Sequence, residues 1–369
     1  MSSTTDTSRL PKEAFSIPGD FAEAVPYGSG HINDTFAVTY NQAGTPVRYI
    51  FQRINHEIFR QPENLMENVL RVTQRTAAKL NEQNYTDGTR RTLTVIPARD
   101  GKPYFRTTDG NYWRVYFFIE GAKTYDRIEN AEQAYEVARM FGEFQTLVGE
   151  LGSPRLHETI PNFHHTRSRF DTLIKAIVED TKGRAASVQA EIDFIRQREA
   201  MVDVLLDLNA KGEIPERITH NDTKLNNVMI DDKTGKGICV IDLDTVMPGL
   251  ALYDFGDMVR TATSPALEDE TDLSKVMMQM PMFEALAKGY LSSMGKSLTP
   301  AEKAHMAFSG KLITLEIGIR FLTDYLQGDQ YFKIKREGHN LDRCRTQLKL
   351  VESIESQEDA MNRFVESLV

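Results

Sequence analysis

Apolar and polar positions follow two different periods along this chain. In residues 34–40, DTFAVTY, Phe36, Val38 and Tyr40 fall on one face, the two-residue repeat of a half-buried strand. A turn, NQAGT at 41–45, leads into PVRYIFQRI at 46–54, which is rich in β-formers. Further strands are expected at 93–98, 103–108 and 111–121. Residues 63–80 instead set Leu65, Val69, Val72 and Ala77 near one stripe, the mark of a helix.

After Gly121 the helical period takes over. Residues 130–151 place Ala134, Val137, Phe141, Phe144, Val148 and Leu151 at spacings of three and four. Similar patterns cover about 186–210, 274–294 and 301–326. The expected architecture is α+β and bilobal, like a protein kinase. Residues 1–118 form a small antiparallel sheet with one main helix and a nucleotide lid. Residues 119–369 form a larger, mostly helical lobe, reached through a crossing segment near 117–121.

One stretch of the helical lobe departs from its surroundings: ITHNDTKLNNVMIDDKTGKGICVIDLDTVMPG, residues 218–249. Its two short apolar runs, Val228–Ile230 and Ile238–Ile241, are flanked by Asp222, Asn226 and Asn227 on one side and Asp242 and Asp244 on the other. Asp222 and Asp242 are 242 − 222 = 20 residues apart. A hairpin turning through DDKTGKG fits that gap and returns Asp242 beside Asn227. Phosphoryl transfer needs a carboxylate to accept the proton of the attacking hydroxyl. It also needs an amide and a second carboxylate to hold Mg2+ on the phosphates. Oxygen ligands suit Mg2+, and two protein ligands leave room for phosphate and water.

HNDTKLNN, VIDLDT and YDFGD together resemble the aminoglycoside phosphotransferase/choline kinase superfamily of small-molecule kinases, over almost the whole chain. By that resemblance Asp222 is the base, Asn227 and Asp242 hold Mg2+, and ATP is the phosphoryl donor. Several further segments are similar to members of that superfamily that phosphorylate N-acetylhexosamines: YGSGHINDTF, WRVYFFIEG, PALEDETDLSKV and IRFLTDYLQGDQYF. They imply a small sugar, GlcNAc or GalNAc, as acceptor, its anomeric hydroxyl attacking the γ-phosphoryl group of ATP. Choline, homoserine, methylthioribose or an aminoglycoside are the alternative acceptors. The DFG at 254–256 lies 254 − 222 = 32 residues on, too far to end the return strand. Asp254 is therefore expected to be structural, capping a helix or bracing the His220 loop.

Other site residues follow from position. The glycine-rich turn with Gly28 and Gly30 precedes a strand and is placed to lay backbone N–H groups over phosphates. His31 and Asn33 at its tip are candidates for phosphate or sugar hydroxyls. Ile50, Phe118 and Ile119 are candidates for sandwiching adenine. Asp244 is a candidate for substrate or a second Mg2+, and Arg320 and Tyr331 for a sugar-facing wall. Glu316, Arg320 and Asp324 recur every four residues, so an ion ladder within the helix is the plain alternative. The paired histidines of FHHTRSRF, 163–170, look like a solvated loop. One departure from the kinase pattern stands out. The strand that should carry a phosphate-binding lysine has Gln52 there, with Arg53 facing the other way unless a bulge turns it inward. Glu67 is the helix carboxylate nearest to being such a lysine's partner. The missing lysine also leaves open a binding module without activity.

Composition narrows the partners. A net charge of −9 argues against a nucleic-acid groove. With 40% hydrophobic and 26% charged residues the chain is globular. Two cysteines make no disulfide framework and suit a reducing cytoplasm. The polar N-terminus has no signal-peptide core, and no apolar run is long enough to span a membrane. No protein partner is implied.

Overall fold

A computed structural model describes residues 10–28 and 32–368. The N-terminal sheet holds six strands: β1 Asp20–Pro26, β2 Asp34–Gln42, β3 Thr45–Ile54, β4 Val95–Ile96, β5 Phe105–Arg106 and β6 Tyr112–Phe117. Their order is β1-β2-β3-β6-β4, with β5 also on β6, and every pairing is antiparallel. Strands β2, β3 and β6 match the alternating runs of the sequence. The expected strands at 93–98 and 103–108 shrink to two residues each, because only those residues reach a partner on β6. Strand β1, which carries little alternation, is an addition.

Helix α1, Pro62–Glu82, opens with proline in its first turn, where a missing N–H costs nothing. It buries Leu65, Met66, Val69 and Val72 against the sheet and the second lobe. Asn68 ties it to that lobe: its Nδ2 donates to the carbonyls of His157 and Val246, at 2.8 and 3.1 Å. A short α2, Gly88–Arg91, precedes the crossing segment, where Arg90 donates to the carbonyl of Glu120.

The C-terminal lobe begins with β7, Ala122–Lys123, and α3, Ala131–Val148. Then come α4 Thr166–Glu179, α5 Gln189–Arg196, α6 Val204–Ala210, β8 Arg217–Thr219, β9 Val228–Asp231, β10 Gly237–Val240 and β11 Met247–Gly249. The chain closes with α7 Ala251–Ala262, α8 Met280–Met294, α9 Pro300–Ala304, α10 Met306–Gln327, α11 His339–Glu355 and α12 Glu358–Glu366. The helix expected over 186–210 is broken in the middle. Arg167 of α4 pairs with both Glu199 and Asp203 there, and those ion pairs hold the interruption in place. FHHTRSRF is not a solvated loop: α4 starts inside it, and His165 caps that helix by accepting from the N–H of Ser168.

Helix α7 is almost wholly buried, lying across α10. A Cβ on Gly256 would come within 2.4 Å of the Ser309 carbonyl oxygen, so only glycine lets the two helices approach this closely. The glycine of DFG therefore serves helix packing. Among the described residues no helix is long and apolar enough to cross a membrane. Both cysteines are buried, and burial pushes the Cys239 thiol up to about 12.

Candidate active site

The hairpin expected from the sequence is present. Strands β9 and β10 are antiparallel with Val240 opposite Val228, and the N–H of Ile241 donates to the carbonyl of Asn227 at 2.9 Å. Asp242 therefore leaves the return strand beside Asn227. It does so in the left-handed region, φ 60°, a conformation that aspartate tolerates better than most residues. Asn227 Nδ2 donates to the carbonyl and to Oδ2 of Asp222, at 2.8 and 3.0 Å. Its amide oxygen is left for another partner. Lys224 Nζ lies 3.1 Å from Asp222 Oδ1. The Asp222 carboxylate holds the lysine above its usual range.

The loop that carries Asp222 is fastened from below by α7. Asp254 accepts from the backbone N–H groups of His220 and Asn221, at 2.8 and 2.7 Å, and from Gln145 Nε2. Asp257 accepts from the N–H of Thr223 at 2.9 Å. Asp254 is thus the bracing carboxylate. It does not cap α7, whose N-cap is Leu250. The His220 ring accepts from the N–H of Asp222 on one side and lies 2.9 Å from the carbonyl of Ile241 on the other, linking Asp222 to the return strand.

Three carboxylates, Asp222, Asp242 and Asp244, converge here against two cations, Lys224 and Arg114. Asp242 is exposed on one side. The protein crowded around its other sides, and then the charges of Asp244 and Asp222, push its acid up to about 6. Uncompensated negative charge beside an amide oxygen and a carboxylate is a donor set that suits a hard divalent cation. Among the described residues no group of three His, Cys, Asp or Glu side chains forms a metal cage.

The remaining candidates are placed as follows. Gly28 has φ +81°, a turn conformation that favours glycine. Gly30 and His31 lie outside the described residues. Asn33 donates to Asp244 Oδ2 at 2.7 Å. Asp244 is 2% exposed and accepts at its other oxygen from Arg114, so it faces protein on both sides. Ile50 is half-buried on β3. Ile119 packs with Met229 and Cys239 at the base of the hairpin. Phe118 turns away from them, its ring 5.3 Å from that of Tyr27 and beneath the Arg48 guanidinium.

The ion ladder on α10 does not form. Asp324 accepts from the N–H groups of Gln330, Tyr331 and Phe332 and from Asn340, folding the following turn back onto the helix. Glu316 is fully buried and accepts from His164 and Thr166. Arg320 is left against aromatic rings, 5.0 Å from the centroid of Phe163 and 5.8 Å from that of Tyr331. Arg53 stays outward in an unbroken β2–β3 register, paired with Asp34. Glu67 pairs with His157, away from β3.

Two site residues were missed by sequence reasoning. One is Arg114. The other is His164, 5% exposed, whose Nδ1 lies 2.7 Å from Glu316 Oε1 and whose Nε2 lies 3.1 Å from the carbonyl oxygen of Asn221. Both neighbours can accept hydrogen bonds, an arrangement that favours the doubly protonated imidazolium. Burial opposes that charge, but the Glu316 carboxylate outweighs it and raises the His164 pKa. His164 thereby fixes the loop carrying Asp222 to α10. Because the folded pKa is raised, its contribution to stability is full below about 6.5 and is lost as pH rises through the folded value. The wild-type melting temperature is expected to fall from about pH 6.5 upward more steeply than that of His164→Gln. Parallel curves in that range would show that His164 is neutral.

Comparison with known proteins follows the same line. The model of the phosphotransferase enzyme family, APH, matches residues 23–274, more than half of the chain. The chain belongs to this family. Solved structures agree in fold. An aminoglycoside phosphotransferase from Alicyclobacillus acidocaldarius is 12% identical, with 97% of each chain covered and a TM-score of 0.64. A choline kinase from Cryptosporidium parvum is 16% identical, with 93% of each chain covered and a TM-score of 0.53. An ethanolamine kinase from Plasmodium vivax is 14% identical, with 88% of this chain and 82% of the other covered and a TM-score of 0.52. The bilobal kinase-like architecture is thus that of the APH family and its choline-kinase relatives.

Proposed function

We propose that this phosphotransferase is an ATP- and Mg2+-dependent kinase of the cytoplasm that phosphorylates the anomeric hydroxyl of an N-acetylhexosamine, giving the sugar 1-phosphate. The observation that carries the kinase reading is the hairpin end, where the Asn227 side chain bonds Asp222 and the Asn227 carbonyl accepts from the N–H of Ile241, next to Asp242. Asp222 has one oxygen on Asn227 and the other near Lys224, and its side chain is 25% exposed. It is therefore both oriented and reachable by a substrate hydroxyl, whose proton it accepts as the phosphoryl group departs from ATP. Asn227 and Asp242 are the Mg2+ ligands. When bound, Mg2+ neutralises charge on the phosphate oxygens.

Support for a sugar comes from α10. Arg320 lies among the rings of Phe163, Tyr331 and Phe332, and no carboxylate pairs with it among the described residues. A donor-rich guanidinium beside an exposed tyrosine suits hydroxyl and acetamido oxygens. Another small alcohol is the second reading. It is favoured by a 290 Å³ cavity on the other side of the loop, lined by Lys224, Arg260 and Gln347. Gln347 is 3% exposed and its Oε1 has no partner.

An ADP-coupled assay over N-acetylglucosamine, N-acetylgalactosamine, choline, homoserine, methylthioribose and an aminoglycoside tests both. Turnover only with an acceptor other than the two N-acetylhexosamines overturns the first reading. Arg320→Leu should raise KM for the hexosamine by about ten- to a hundredfold, the loss of a charged hydrogen bond, with little change for ATP. If Gln347→Leu does so instead, the acceptor sits in the cavity.

A further inference from the structure

Strand β3 carries Gln52 where a kinase-like site needs a cation, and the residue directly across the ladder on β6 is Arg114. Arg114 is 1% exposed, although arginine almost never is. Its Nε donates to Gln52 Oε1 at 3.0 Å, and its Nη1 donates to Asp244 Oδ1. Gln52 in turn donates to Thr35 Oγ1 on β2 at 3.0 Å. Asp244 accepts at its second oxygen from Asn33, at the base of the glycine-rich turn, and Asn33 accepts from the N–H of Asn55 at 3.0 Å. Met66 of α1 lies against the guanidinium, where a carboxylate partner of a strand lysine would be expected. One buried carboxylate from the second lobe is thus gripped by two residues of the first, two positions beyond the metal ligand Asp242.

We propose that Arg114 is a positioning residue that replaces the absent strand lysine. Acting through Asp244, it sets the Asp242 turn and the base of the glycine-rich turn in the register that nucleotide requires. Residues 243–245 form a single tight turn, so fixing the Asp244 side chain fixes the direction in which Asp242 leaves the strand. The cation has thus moved to the neighbouring strand, and its anionic partner from α1 to the turn that follows β10.

This rests on the kinase reading, so the test uses binding and not turnover. Calorimetry measures Mg2+ with a non-hydrolysable ATP analogue, and thermal melting measures the fold. Failure of the wild type to bind would sink the kinase reading itself. If the wild type binds, Arg114→Met should weaken binding by about tenfold or more and raise the Mg2+ concentration needed. Arg114→Met leaves Asp244 buried and unpaired, so stability falls as well. Arg114→Met/Asp244→Asn removes both charges and should regain the melting temperature without regaining nucleotide affinity. Gln52→Lys/Arg114→Met returns a cation to β3 and should regain part of the affinity. Binding by Arg114→Met within about twofold of wild type, full recovery of affinity in the neutral pair, or no gain from Gln52→Lys would each overturn the proposal.

Discussion

Asp222→Asn is expected to lose about a hundred- to ten-thousandfold of turnover while still binding Mg2+–nucleotide. The substitution is nearly isosteric. The new amide oxygen can still accept from Asn227 Nδ2, now at 3.0 Å from the carboxylate, so the loop should keep its shape. Nor does the fold depend on this side chain, because the loop is fastened through backbone N–H groups to Asp254 and Asp257. What disappears is the ability to take a proton, and with it the oxygen facing Lys224. Metal coordination is assigned to Asn227 and Asp242, so nucleotide affinity should change little. Single-turnover rates and a binding titration on the same preparation separate the two. A variant that keeps more than about a tenth of the rate would remove Asp222 from its role as base, since positioned bases contribute far more than that.

The convergence of Asp222, Asn227 and Asp242 was legible because its geometry is local. Two apolar runs with a seven-residue turn specify a hairpin, and a hairpin brings its two ends together whatever surrounds it. The second lobe's long helices, α3 and α10, were legible for a similar reason, through their apolar stripes. Helix α11 carried the same signal, with Cys344, Leu348 and Val351 buried on one side. The charged run that leads into it, KIKREGHN at 333–340, suggests a solvated face, and only its last two residues, His339 and Asn340, are buried, where α11 begins.

Arg114 and His164 were hidden for a different reason. Each is explained by a partner far away in sequence: Asp244 lies 130 residues from Arg114, and Glu316 lies 152 from His164. Neither contact has a local period. For Arg114 a hint existed, since Tyr112, Arg114 and Tyr116 share a face of a strand whose neighbours are aromatic. A cation at such a position is either paired or misassigned. The histidine pair offered no such hint. Only the tertiary fold shows that His165 is a helix cap while His164 is buried between Glu316 and the loop that carries Asp222. Likewise, the spacing of Glu316, Arg320 and Asp324 suggested mutual pairing. Partners elsewhere claimed both acids and left the arginine against the rings of Phe163, Tyr331 and Phe332.

Asp242→Ala should abolish activity, whereas Asp254→Ala should chiefly lower stability. Loss of a metal ligand removes several kcal/mol of charge stabilisation at the phosphates, on the order of a thousandfold or more in rate. Alanine at φ 60° adds backbone strain of its own, so Asp242→Asn is the control: asparagine tolerates that conformation but lacks the charge. Both variants should need far more Mg2+ than wild type. The Asp242 carboxyl is already pushed up to about 6 by crowding and by Asp244 and Asp222, so removing it should not unfold the chain. Asp254 is the opposite case. It is fully buried and accepts from His220, Asn221 and Gln145. Each donor left without an acceptor costs about 1–3 kcal/mol, so truncation should cost several kcal/mol in total and lower the melting temperature clearly. The Mg2+ dependence of the molecules that remain folded should match wild type. If Asp254→Ala raises the Mg2+ requirement and Asp242→Asn does not, the two carboxylates have been assigned the wrong way round.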